Sequence, residues 1–203
     1  FGTAGLRGVI GAGTNRMNVY TVGRATQALA GYVKSVSKNP SVAIAYDSRI
    51  KSDLFAKTAA SILAANGVKV YIYKELMPTP MLSFAVRRLK CDAGIVITAS
   101  HNPAKYNGYK AYWEDGSQLP PHEATNVYNV MTSLDIFKDV KRADEKDPLI
   151  EIIGKEIDDK FIDEVLKLRV REDAPEKAGE DFTIIYTPFH GTGRILVPEA
   201  LRR

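Results

Sequence analysis

Ala93-Gly94-Ile95-Val96-Ile97-Thr98-Ala99-Ser100-His101-Asn102-Pro103 is the stretch on which the reading of this chain turns. Its first five residues are apolar, β-branched towards the end and bounded by polar side chains, which is the pattern of a buried strand. Pro103 disfavours the helical region for Asn102, so Asn102 is expected to cap a helical turn over 103–106 with Pro103 in its first position. Free N–H groups and the positive end of that turn's dipole would then face Ser100 and favour an anion there. Ser100 could hold a phosphate or carry one; read alone, it is first of all a capping or turn serine. Ser100 and His101 are adjacent at a strand end and should point apart. No Gly-x-Ser-x-Gly elbow is present, which argues against a Ser-His-Asp triad.

Elements alternate on either side of this stretch. Val22, Ala25, Leu29, Tyr32 and Val33 mark an amphipathic helix over 19–36. A strand over 42–46 leads into Asp47-Ser48-Arg49. Ser52 is the expected N-cap of a helix through Ala65, closed by Asn66-Gly67. A strand over 68–73, a helix opened by Pro78-Thr79-Pro80 and the strand at 93–97 follow. This order predicts an α/β fold with a mixed, mostly parallel sheet flanked by helices. Ligands of such sheets bind beyond the carboxyl ends of the strands, so Asp47, Arg49 and Ser100 should share one rim.

Beyond Pro103, Asn107-Gly108 reads as a tight turn and 109–113 as a short antiparallel strand closed by Asp115-Gly116. Alternation puts Lys110 and Tyr112 on one face of it, Tyr109, Ala111 and Trp113 on the other. Lys110 then either reaches the rim or is an exposed edge-strand lysine. Helices are expected over 121–132 and about 155–170, with charged connectors over 138–147 and 169–181. A strand over 183–186 runs into the loop Thr187-Pro188-Phe189-His190-Gly191-Thr192-Gly193, and a helix starts near Ile195.

The 203 residues suffice for one hydrophobic core and the start of another. Lysines and arginines (28) barely outnumber acids (24) and are scattered, so nothing points to nucleic acid, while small anions remain compatible. No apolar run approaches membrane-spanning length. The single cysteine, Cys91, excludes an intrachain disulfide and suits a reducing, cytoplasmic setting. His101, His122 and His190 lack zinc-ligand spacing. Phe1–18 is glycine-rich; taken alone it is a flexible lead-in with a solvated Arg7.

The segment 98–103 followed by Tyr106-Asn107-Gly108-Tyr109-Lys110 resembles the phosphoserine loop of the α-D-phosphohexomutase superfamily, which includes phosphoglucomutases and phosphomannomutases. Phe1-Gly2-Thr3-Ala4-Gly5-Leu6-Arg7-Gly8 resembles that family's N-terminal signature, in the right order. Gly11-Ala12-Gly13-Thr14-Asn15-Arg16-Met17-Asn18 is closest to the bacterial phosphoglucomutase and phosphopentomutase-like branch.

The resemblance implies a first domain over 1–181 and the truncated start of a similar second domain over 182–203, as expected of a piece of a longer protein. It implies phosphorylated sugars as ligands and a mutase that interconverts their 1- and 6-phosphates, glucose first, through a phosphoserine at Ser100 and a bound bisphosphate. Phosphopentomutase or phosphomannomutase activity, or a non-catalytic phosphosugar-binding protein, are the alternatives. Arg7 would stabilise charge, Lys110 or His101 would move the hydroxyl proton, and Asp47, Arg49 and Asn102 would buttress the loop. Mg2+ would bind through the Ser100 phosphate, its other ligands lying in an aspartate-rich loop that these residues lack. The piece alone is expected to be inactive.

Overall fold

The computed structural model describes residues 5–179 and 182–203. Phe1-Gly2-Thr3-Ala4 of the N-terminal motif and the end of the second charged connector lie outside them. The elements are β1 (Gly5–Val9), α1 (Val19–Val36), β2 (Ser41–Tyr46), α2 (Ser52–Ala65), β3 (Lys69–Tyr73), α3 (Thr79–Leu89), β4 (Ala93–Ile97), β5 (Tyr106–Trp113), α4 (Pro121–Ser133), β6 (Ile150–Ile153), α5 (Lys155–Leu166), α6 (Ala174–Ala178) and α7 (Leu196–Arg202). Among the described residues the strands form one six-stranded sheet in the order β1-β5-β4-β2-β3-β6. The β4-β2-β3-β6 half is parallel, and β5 and β1 continue it antiparallel. The sheet is therefore mixed and mostly parallel, with helices on both faces.

Two apolar layers sandwich it. On one face α1, α2 and α4 bury Leu29, Val33, Phe55 and Leu63 against Ile44, Ile95, Tyr109 and Ala111. On the other, α3, α5 and α7 bury Met81, Leu82, Val86, Ile162 and Leu196 against Ala43, Ala45 and Val96. Each fully buried large side chain contributes about 1.5–3 kcal/mol relative to exposure, so these layers fix the sheet that presents the loops. Asn18 opens α1 with a reciprocal capping box, accepting from the N–H of Tyr20 and Thr21 while Thr21 Oγ1 accepts from its own N–H. The same side chain donates to the carbonyls of Gly11 and Gly13 and ties down the glycine-rich loop before it.

Four local expectations are overturned. Residues 103–106 form the expected single turn (Tyr106 N–H to Pro103 O, 2.9 Å), but Asn102 Oδ1 does not cap it, and the chain enters β5 at Tyr106. Asn107-Gly108 lies inside β5, between β1 and β4, so sheet pairing overrides its turn chemistry. Lys110 is consequently on an inner strand and not an edge. Residues 183–186 make no strand, and Phe182, Ile184 and Ile185 are exposed. Ser52 is the first helical residue of α2; its cap is Lys51, in the left-handed region (φ 63°). Two strands went unread: β1, hidden by its glycines, and β6, only four residues long.

The candidate active site

Strands β2 and β4 end side by side, Tyr46 opposite Ile97, and the N–H of Asp47 donates to Ile97 O (3.1 Å). The loops after them therefore leave the sheet together. α2 follows β2 on one face and α3 follows β3 on the other, so a crevice opens between those neighbouring strand ends. A cavity of about 600 Å³ occupies it, lined by Asp47, Arg49, Pro78, Ser100, Asn102 and His190 among others.

Ser100 sits at the tip of the β4 loop, exposed, in the left-handed region with φ 55°. A non-glycine residue adopts that conformation only where its surroundings impose it. Two groups do so: Thr98 Oγ1 accepts from the N–H of Ser100 (2.9 Å), and Arg49 Nη2 donates to Ser100 O (2.6 Å). The Arg49 guanidinium also donates to the carbonyls of Asn102, Pro103 and Tyr106. One planar fork thus holds four carbonyls of the loop, which a lysine could not do. Asp47 steers the fork: its Oδ1 accepts from the Arg49 N–H (2.9 Å) and its Oδ2 lies 3.5 Å from Arg49 Nε, with both side chains largely buried. Asn102 lines the cavity, and its Oδ1 is buried without a hydrogen-bond partner.

His101 is exposed, with Nδ1 3.2 Å from Ser100 Oγ. The two adjacent side chains meet, contrary to the expectation that they point apart; the left-handed turn at Ser100 brings them together. No carboxylate joins them among the described residues, so no triad forms. Arg7 stands opposite Gly108 on β1, and Lys110 is two residues further along β5. Opposed residues share a face, so Arg7 and Lys110 are diagonal neighbours on the α3 side of the sheet. Neither side chain has a hydrogen-bond or ion-pair partner among the described residues. Neither lines the 600 Å³ cavity, which extends from Ser100 in the other direction, towards β3.

Sequence reasoning gave two parts of this site other roles, Ser52 that of a helix cap and the loop 187–193 that of the opening of a second domain. Ser52 Oγ donates to Asp47 Oδ1 (2.8 Å) and accepts from Asn107 Nδ2 (2.9 Å), and Asn107 also donates to Ile50 O. The far wall is His190, Gly191 and Thr192, held by a hydrogen bond from Ser48 Oγ to His190 O. Among the described residues, no group of three or more His, Cys, Asp or Glu side chains could hold a metal ion.

The family model described as phosphoglucomutase/phosphomannomutase, alpha/beta/alpha domain I, matches residues 1–136. A phosphoglucomutase of Staphylococcus haemolyticus (strain JCSC1435) is 40% identical over 206 residues, covering 100% of this chain and 36% of the relative. One from Staphylococcus epidermidis (strain ATCC 12228 / FDA PCI 1200) is 38% identical over 204 residues, with 99% and 36% covered. The crystal structure of a putative phosphomannomutase from Thermus thermophilus superposes with a TM-score of 0.77 at 29% identity, covering 100% of this chain and 42% of that one. The open form of pp63/parafusin from Paramecium (TM-score 0.71, 18% identity, covering 98% of this chain and 40% of that one) shares the fold. The chain spans about a third of the length of the curated relatives it matches. It belongs to the phosphoglucomutase/phosphomannomutase family.

Proposed function

We propose that this chain supplies the phosphoserine-bearing domain of a phosphohexomutase that interconverts sugar 1-phosphates and 6-phosphates, with glucose phosphates as the preferred substrates. One observation carries the reading: the Ser100 hydroxyl is exposed on a tight left-handed turn, and Arg49 pins the carbonyls around it. A serine serving only as a turn residue has no need of a buried guanidinium beneath it.

In this reading phosphorylated Ser100 transfers its phosphoryl group to a hydroxyl of a sugar monophosphate, breaking the Ser Oγ–P bond and forming the new ester. The bisphosphate reorients and returns its other phosphoryl group to Ser100. Such transfers depend on alignment and charge neutralisation. Arg7 neutralises phosphate charge, bidentately and without titrating. Lys110 or His101 exchanges the proton with the hydroxyl, and the contact of His101 with Ser100 Oγ puts it within reach of the leaving oxygen. Asp47, Arg49 and Asn102 hold the loop.

For Mg2+, Ser100 once phosphorylated offers oxygen donors of the right hardness, and the described residues hold no carboxylate cluster to complete a shell. When bound, the ion would neutralise phosphate charge. The chain's share of that site is Ser100, and the remaining ligands are assigned to residues outside this chain. We assign 1–181 to the first domain and 182–203 to the opening of a second; the exposed Phe182, Ile184 and Ile185 support that division.

The test is turnover of the complete mutase with Ser100→Ala. Loss of interconversion with retained sugar-phosphate binding supports the reading. Near-unchanged turnover contradicts it, as would mutase activity in these 203 residues alone.

A further inference from the structure

Ser52 and Asn107 are both fully buried and polar, one at the start of α2 and one near the start of β5. Burying such groups is unfavourable unless they are hydrogen-bonded, and an apolar pair would fill the same space without that cost. Here every link is made. Asn107 Oδ1 accepts from the N–H of Gly108 (2.7 Å), while its Nδ2 donates to Ile50 O (3.1 Å) and to Ser52 Oγ (2.9 Å). Ser52 Oγ directs its own proton to Asp47 Oδ1 (2.8 Å), and Asp47 faces the Arg49 guanidinium that holds the Ser100 loop.

The direction of this chain of bonds matters. It starts in the strand that carries Lys110, three residues from Asn107, and ends at the loop that carries Ser100. The serine hydroxyl is the bond that joins the two. Removing it frees one lone pair of Asp47 and one N–H of Asn107, and neither Ser52 nor Asn107 lines the cavity. We infer that Ser52 and Asn107 are positioning residues of the phosphotransfer site: through Asp47 and Arg49 they fix where the Ser100 hydroxyl stands relative to Lys110. The inference rests on the reading of Ser100 as the phosphorylated nucleophile.

A relay of this kind acts on chemistry, since a small misplacement of reacting groups is felt in the rate and much less in binding. The experiment is steady-state kinetics of the complete mutase with Ser52→Ala, Asn107→Ala, Arg49→Lys and the double variant Ser52→Ala/Arg49→Lys, each with a thermal unfolding curve. For Ser52→Ala the expected result is a fall in kcat of about tenfold or more with KM within about twofold of the parent. The double variant should fall no further than Arg49→Lys alone, because a broken relay cannot be broken twice. A kcat for Ser52→Ala within about twofold of the parent, or losses that multiply in the double variant, would overturn the inference. Should one of the two alanine variants fail to fold, the other decides by the same criteria. Absence of turnover in the unsubstituted protein would instead remove the reading of Ser100, and the inference with it.

Discussion

Arg7 of β1 stands directly opposite Gly108 of β5, and Gly108 in turn receives Thr98 on its other side through the bond from Thr98 N–H to Gly108 O (3.0 Å). Cross-strand partners project to the same face, so Thr98, Gly108 and Arg7 form one row across the sheet. The middle position carries no side chain. A Cβ there would lie 2.5 Å from Thr98 O and 2.9 Å from Leu6 O, both main-chain atoms that cannot swing away.

Gly108→Ala should therefore push β1 and β4 away from β5. The expected loss of stability is about 1–3 kcal/mol, the range of overpacking in a rigid setting. Chemical denaturation of the chain checks it. Gly94→Ala is the useful contrast, because its added Cβ meets side-chain atoms only, Val86 Cγ2 at 2.6 Å and the Leu82 methyls at 3.3 Å, so its cost falls on the packing of α3 and not on the strand pairing.

Arg49→Lys preserves the charge and discards the fork. Four carbonyls then share one flexible ammonium, and the left-handed turn at Ser100 loses its outer support. If the complete protein has the proposed mutase activity, its kcat should fall by about 10- to 100-fold, with proteolysis within 98–106 accelerated. An unchanged kcat would mean that the loop holds its shape without Arg49.

Asn18→Ala removes the cap of α1 and two anchors of the glycine-rich loop together. Loss of the cap costs about 1–2 kcal/mol. Amide exchange should quicken over 11–16 and the first turn of α1, and remain slow in α2. Uniform loosening of both helices would contradict this local account.

Burial, followed by the neighbouring Asp159, raises the carboxyl of Asp158 above its ordinary value, and its Oδ1 is buried without a hydrogen-bond partner. A carboxyl raised on folding is destabilising when ionised. Its stability contribution is greatest in acid and declines as pH rises through the carboxylate range. Asp158→Asn should consequently raise the thermal midpoint of the chain near pH 7, with the gain vanishing in acid where both side chains are neutral. A lower midpoint at neutral pH would show that the charge is compensated.

Helices α1, α2 and α3 were legible because each repeats its apolar residues at the helical period and is bounded by Asn-Pro, Asn-Gly or a comparable signal. The rim was legible for the same reason: once the strands before Asp47 and Ser100 are recognised, parallel topology brings their loops together. Where tertiary pairing decides, local chemistry misled. Asn107-Gly108 has turn chemistry, but Asn107 spends its carboxamide on α2 and Gly108 is small because strands close in on both sides. Strand β1 has too few side chains to alternate visibly, and β6 is held by its pairing with β3. Ser52 looked like a helix cap, and only its distance to Asp47 reveals its actual partner.

In the proposed reaction the Ser100 oxygen becomes a phosphate ester and gives it away. The direct measurement is peptide-level mass analysis of the complete protein after incubation with a sugar bisphosphate, then with excess sugar monophosphate. One phosphate, located on Ser100, is expected to be gained in the first step and passed to the monophosphate in the second. A phosphate on any other residue, or none on a protein that turns over, would contradict it.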